Sequence, residues 1–322
     1  MKRLFTIAIA AIATLPAFAE YPDKSITIVV PFAAGGPTDK VARDFAEALR
    51  KPLGQVVVID NAGGAGGTLG ATKAARAAND GYTLMVHQIS LATSPSLYRK
   101  LAYEALGDFE YLGLINEVPM TVISRKTLPA GNFAELRKWL EDNRGKINLA
   151  NAGLGSASHL CGMMLQNALK IEMQDISYKG TAPAMTDLIS GQVDVMCDQT
   201  TNTTAQIEGN MVKAYAVTTQ QRQTTPALAA LPTLDESGLK GFNVTIWHGL
   251  FAPKGTPKAI TDKLNAALKV ALKDPAFVKN QEGLGAVIVN DERVNGPEHK
   301  KFVEAETEKW SAVIKAAGQS VD

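Results

Sequence analysis

Short β-branched runs that alternate with glycine-bearing loops and amphipathic helix patterns are the feature that most restricts this chain. Ile26 to Val30 ends at Pro31 and reads as a buried strand. Thr38-Asp39 precede a helical pattern through Val41, Phe45 and Leu49 that stops at Pro52-Leu53-Gly54. Val56 to Ile59 is a second strand. An Ala-rich helix follows from about Leu69 to Ala78, and Thr83 to Val86 is a third strand. Strand, helix, strand, helix, strand calls for a parallel sheet with crossover helices.

The rhythm then recurs. Met120 to Ile123, Ile147 to Ala150, Ile176 to Tyr178, Val193 to Met196 and Lys213 to Val217 read as strands. Phe133 to Asn143, His159 to Leu169 and Pro183 to Ser190 read as the helices between them. Ile246 to Phe251 is a further strand, Ile260 to Leu272 an amphipathic helix, and Lys300 to Ala317 a long helix that packs back on the body. With 322 residues, the chain exceeds what one hydrophobic core usually holds. The expectation is an α/β protein of two Rossmann-like lobes, 20–121 with 246–322 and 122–245, joined by ordered hinge strands since no low-complexity linker occurs.

Residues 1–19 stand apart. Lys2 and Arg3 precede the uncharged apolar run Leu4 to Leu15, and Ala17-Phe18-Ala19 supplies the small residues a signal peptidase reads. Cleavage after Ala19 is expected, which places the mature chain in a bacterial periplasm. The full chain carries 33 Lys+Arg against 32 Asp+Glu; losing Lys2 and Arg3 leaves 31 against 32, a net charge of −1. Such a balance argues against nucleic acid, whose phosphates call for a basic face. The histidines at 87, 159, 248 and 299 have no metal-ligand spacing, and neither metal nor cofactor is expected.

Three strand-to-helix loops carry what chemistry the sequence offers. Phe32-Ala33-Ala34-Gly35-Gly36-Pro37-Thr38-Asp39 can turn backbone N–H groups toward an anion, although Thr38 or Asp39 could equally be a plain N-cap. Asn61 to Gly70 looks like a nucleotide loop but fails the spacing: Leu69 stands where the third glycine is required, and no Gly-Lys-Ser/Thr follows. It reads as a backbone-donor loop or a tight turn. Gly153-Leu154-Gly155-Ser156-Ala157-Ser158-His159 is the third loop, with Ser156 or Ser158 as helix cap or carboxylate donor. No Gly-x-Ser-x-Gly elbow surrounds Ser156, which disfavours a serine hydrolase built on Ser156 or Ser158 with His159. Ligands of open α/β sheets sit at the carboxyl ends of strands, where these loops fall.

The loop at Pro31 to Asp39, Asp60-Asn61 with its glycines, and Gly155 to Leu160 resemble the Bug proteins, periplasmic receptors of tripartite tricarboxylate transporters. Tyr178 to Ala184, Asp187 to Asp194, Leu231 to Gly238 and Trp247 to Pro257 continue the resemblance in order. It implies a periplasmic-binding-protein-like (Venus flytrap) receptor without catalysis, monomeric, that closes on a small carboxylate and delivers it to a membrane permease. A dicarboxylate, aliphatic or aromatic such as terephthalate, suits donor loops on both lobes. The resemblance assigns the proximal carboxylate to Phe32, Ala33, Ala34, Gly35, Gly36, Thr38 and Asp39, partly through water. It assigns the second lobe's contacts to Gly153, Gly155, Ser156, Ser158, His159 and Asp198, with Gln88 and Ser90 as further lining. A co-sensor role toward a sensor kinase is the rival within this class. Asn61-Ala62-Gly63 lacks a basic residue frequent in the family, His248 replaces a small or aromatic residue, and Thr200 to Thr204 is unusually hydroxyl-rich.

Cys161 and Cys197 fall in one lobe. Export permits a bridge, but two buried thiols acting as small hydrophobes is the reading favoured here.

Overall fold

The computed structural model describes residues 21–316 and residue 318; the signal segment at 1–19 and Ala317 lie outside them. The chain runs β1 (Ile26–Val30), α1 (Pro37–Leu53), β2 (Val57–Asn61), α2 (Thr68–Ala75), β3 (Thr83–Gln88), α3 (Ser90–Leu97), β4 (Phe109–Arg125), α4 (Phe133–Asp142) and β5 (Asn148–Asn151). It continues α5 (Ala157–Leu169), β6 (Gln174–Ser177), α6 (Thr181–Ser190), β7 (Val195–Gln199), α7 (Thr200–Glu208) and β8 (Val212–Val217). The rest is β9 (Thr245–Pro253), α8 (Lys258–Ala271), α9 (Pro275–Gly283), β10 (Val287–Ile288) and α10 (Gly296–Ala316).

Two lobes form because β4 serves two sheets. Its first part, Phe109 to Pro119, pairs antiparallel with β9, which in turn pairs with β3 beside the parallel β1 and β2. From Met120 onward β4 pairs instead with β7 and β8, and β7 leads to the parallel β5 and β6. Pro119 sits at the change of partner, where a residue without an N–H costs the ladder least. The sequence reading confined this strand to the neighbourhood of Met120 to Ile123. The longer β4 escaped it because Gly113, at φ 143°, and Pro119 break the β-branched run.

Alternation along β1 divides its side chains between two cores. Ile26, Ile28 and Val30 pack with Val41, Phe45 and Leu49 of α1, one helical stripe at i, i+4 and i+8. Val29 lies on the other face, in the cluster that holds Met85 and Ala71 and Ala74 of α2. Fully burying Phe45, whose ring meets Phe277 edge-on at 5.8 Å, contributes roughly 2–3 kcal/mol. The C-terminal helix α10 does pack on the first lobe. Glu306 accepts from the indole N–H groups of Trp247 on β9 (3.3 Å) and Trp310 (3.1 Å), and Lys309 pairs with its other oxygen at 2.8 Å.

Cys161 of α5 and Cys197 of β7 form a disulfide with Cα atoms 5.9 Å apart, which corrects the reading of two free thiols. Sequence could not choose, because the bridge depends on the register that sets α5 across β7. Each cysteine is next to site-bearing positions: Cys197 precedes Asp198, and Cys161 follows His159 by two residues. The bridge therefore fixes the start of α5 against the end of β7.

Candidate functional site

The helix that opens after β1 has Gly36, not Thr38 or Asp39, as its N-cap, with Pro37 in the first position. Thr38 and Asp39 fall in its first turn. Asp39 reaches back: its carboxylate accepts from the Gly35 N–H (2.9 Å), Arg43 Nε (2.8 Å) and Asn61 Nδ2 (2.9 Å). Burial works to raise its pKa, but those hydrogen bonds and the Arg43 charge outweigh it and hold the carboxyl below its usual range. Asp39 thus shapes the loop 32–36, and Asn61 adds a bond to the Phe32 carbonyl at 3.1 Å.

In the second lobe Ser156 caps α5, its hydroxyl accepting from the His159 backbone N–H at 3.3 Å. Ser158 Oγ accepts from the Ala152 N–H at 2.8 Å, and the two serine hydroxyls lie 3.2 Å apart. One proton is needed between them, so the pair keeps one to donate outward. His159 turns Nδ1 to the Gly155 N–H at 3.2 Å. Burial pushes its pKa down, against the opposing pull of Asp175. Ser156 meets the backbone of His159 and not its ring, so these residues do not form the serine–imidazole pair that a hydrolase requires.

Asp198, fully buried, is the next-to-last residue of β7. It accepts from Asn202 Nδ2 (2.8 Å) and Thr181 Oγ1 (3.4 Å). Burial pushes its pKa up to about 7, against the lowering effect of Asn202, the Gln199 amide and Thr181. Gln199 is the N-cap of α7 and its Oε1 has no partner. Gln88, at the end of β3, uses Oε1 to accept from the Ser90 N–H at 3.3 Å, leaving its amide N–H₂ free.

These groups meet in one cavity between the lobes, lined by Phe32, Thr38, Gln88, Ser156, Asp198 and Gln199, with Pro37, Ala152, Ala157, Ser158 and Thr181 completing the wall. Four helix starts converge there: α1 with Thr38, α5 with Ser156 to Ser158, α6 with Thr181, and α7 with Gln199. Each adds partial positive charge, and the first turn of a helix carries N–H groups that have no intrahelical partner. No Lys or Arg lines the wall. The volume is about 10 Å³, enough for one water molecule.

Phe32, Thr38, Gln88, Ser156, Ser158 and Asp198 of the sequence-derived set are brought together. Ala33, Ala34, Gly35, Gly36, Asp39, Ser90, Gly153, Gly155 and His159 are not among the lining residues. Ala33, Ala34, Gly35, Gly36, Gly153 and Gly155 lie in the turns that precede α1 and α5, and Asp39, Ser90 and His159 lie in the first turns of α1, α3 and α5. Thr181 and Gln199 were missed. Gly180-Thr181 before Ala182-Pro183 was a visible helix-start signal; Gln199 had none, because Thr200 to Thr204 gave no helix pattern.

The loop after β2 does not reach this wall, contrary to its reading as an anion-facing donor loop. It builds the seam. A Cβ on Gly63 would lie 2.8 Å from the Lys179 carbonyl oxygen, and one on Gly66 would overlap that of Leu154. Tyr98 Oη donates to the Leu154 carbonyl at 2.9 Å and Thr93 Oγ1 to that of Gly155 at 3.1 Å, so the lobes touch directly.

Among the described residues no group of His, Cys, Asp and Glu is placed to hold a metal ion, and no helix is long and apolar enough to cross a membrane.

A family profile described as the tripartite tricarboxylate transporter family receptor (TctC) matches residues 41–319. Among solved structures, the periplasmic binding protein BugD is 50% identical, with a TM-score of 0.90 over 94% of this chain and 100% of its own. MatC from Rhodopseudomonas palustris with bound malate is 39% identical, with a TM-score of 0.86 over 91% and 100% of the two chains. A second R. palustris protein, with adipate, is 30% identical, with a TM-score of 0.88 over 94% and 100%.

Proposed function

We propose, from the premise that the chain belongs to the tripartite tricarboxylate transporter receptor family, that it captures a small dicarboxylate in the interlobe cavity and delivers it to a membrane permease. One observation carries this reading: four helix starts face a single cavity with no basic side chain on its wall. Convergent amides and hydroxyls stabilise carboxylate oxygens at short range without the long-range field of lysines. Donors stand on both lobes, the Gln88 amide and the first turn of α1 on one and the Ser156–Ser158 pair with the first turns of α5, α6 and α7 on the other, so each end of a diacid meets its own set. Malate and adipate, bound by the two relatives, are both dicarboxylates.

A cavity of about 10 Å³ admits no diacid while the lobes touch. Capture therefore requires the lobes to part and close again on the ligand. Hinges lie where β4 changes partner at Pro119–Met120 and where the chain returns through Val244 to β9. These points adjoin the division of 20–121 with 246–322 from 122–245. Closure is favoured only by ligands that bridge both donor sets.

Calorimetry and thermal-shift screening over aliphatic and aromatic mono- and dicarboxylates test this directly. A dicarboxylate should bind at one site per chain and raise the melting temperature more than any monocarboxylate. Absence of any carboxylate ligand would overturn the proposal.

A further inference from the structure

A chain of buried polar side chains runs from the back of the cavity through the first lobe. Thr38 Oγ1 lies 3.4 Å from His248 Nε2, and His248 Nδ1 lies 2.8 Å from Asn116 Oδ1. Asn116 Nδ2 donates to Gln281 Oε1 at 2.9 Å, and Gln281 Nε2 donates to Asp44 Oδ2 at 2.7 Å. Lys40 closes the far end on Asp44 at 2.8 Å. His248, Asn116 and Gln281 are completely buried.

The far end sets the direction of every bond. An ion-paired carboxylate only accepts, so Gln281 must turn its amide nitrogen to Asp44 and its oxygen to Asn116. Asn116 then gives its nitrogen to Gln281 and its oxygen to His248, which must carry its proton on Nδ1. Burial keeps the ring neutral, with a pKa pushed down to about 3, so Nε2 holds a lone pair. The single hydroxyl proton of Thr38 goes to that lone pair.

The other histidines show the opposite arrangement. His87, His159 and His299 each turn Nδ1 to a backbone N–H, of Gln88 (2.8 Å), Gly155 (3.2 Å) and Gly113 (3.0 Å) respectively. Their protons therefore reside on Nε2. His248 alone is held in the other tautomer, by a chain that ends at the cavity wall.

We infer that Thr38 presents only lone pairs to the ligand, and so selects a dicarboxylate that bears a hydrogen-bond donor, a hydroxyl or ammonium, on its carbon chain. This rests on the cavity being the dicarboxylate site. It reverses the expectation that the Thr38 hydroxyl donates to the proximal carboxylate. Thr38 contacts the ligand; His248, Asn116 and Gln281 are positioning residues.

Two measurements test this separately from the proposed function. Nitrogen-15 spectra of histidine-labelled protein without ligand should show Nε2 of His248 unprotonated and Nε2 of the other three histidines protonated. A protonated Nε2 on His248 would overturn the inference whatever the protein binds. Calorimetry should then compare malate and aspartate with succinate and 2-fluorosuccinate, which have the same backbone without a donor. At least one donor-bearing acid should bind about tenfold or more tighter than both others. Thr38→Ser should keep that preference and Thr38→Val should abolish it. Equal affinities for all four would mean that only water donates to Thr38, and would overturn the selectivity. Failure of all four to bind would overturn the selectivity, and failure of every other dicarboxylate as well would sink the dicarboxylate reading itself, while the tautomer spectrum would still decide the direction of the Thr38 bond.

Discussion

Asp198 is the residue on which the chemistry of the site turns. A buried carboxyl with a pKa near 7 is half-protonated at neutral pH, unlike its ordinary counterpart. Because its folded-state pKa is raised, it contributes stability that is fully present below about pH 4 and is lost as pH rises through about 7. Three pH units correspond to a contribution on the order of 4 kcal/mol. Asp198→Asn should remove that slope in denaturant unfolding followed from pH 4 to 8, and an unchanged slope would assign it elsewhere. Ionised Asp198 also repels a dianion. Affinity should therefore fall as pH rises through 7, by up to about tenfold per unit, and flatten in Asp198→Asn. Residue identity made Thr38, Ser156 and Ser158 legible in the sequence, because hydroxyls after a strand invite this reading, whereas Asp198 came only from the family resemblance. The role of Asp39 was not legible. It depends on Arg43 and Asn61, whose approach is set by the packing of α1 beside β2.

The disulfide decides how firmly the second lobe's elements hold their donors. It closes a loop with a sequence separation of 36, for which chain entropy gives about 4 kcal/mol. Cys161→Ala with Cys197→Ala, or reduction, should lower unfolding stability by about that amount. It should also weaken ligand binding, because α5 and β7 carry Ser156, Ser158 and Asp198. Stability indifferent to reductant would contradict the bridge. The strand-and-helix rhythm exposed most elements, since β-branched runs and helical stripes are local signals. Three helices escaped it. In α3, Pro95 interrupts a Ser- and Thr-bearing stretch; α7 opens on Thr200-Thr201-Asn202-Thr203-Thr204, residues that individually disfavour helix. The third, α9, is polar and short, with an Asp274 cap and Pro275 as its clearest marks. Each is held by tertiary packing more than by its own propensity.

At the scale of the molecule, function depends on two lobes that touch through glycines. Gly66, at φ 60°, faces the Leu154 carbonyl with no room for a side chain. Gly66→Ala should leave both lobes folded but hold them apart. Small-angle scattering with ligand should then give a larger radius of gyration than the wild type, and affinity should drop tenfold or more. Unchanged compaction and affinity would remove the seam from the mechanism. The glycine cluster was conspicuous in the sequence, yet its partner surface was not, because residues 63–66 meet residues 154 and 179 only after both lobes have formed. The central claim is that helix starts, and not basic side chains, hold the ligand. A crystal structure of the protein with a bound dicarboxylate tests it most directly. Carboxylate oxygens should lie within hydrogen-bonding distance of first-turn N–H groups of α1, α5, α6 or α7 in a closed interlobe cavity. A diacid held instead by lysine or arginine side chains outside that cavity would contradict the account.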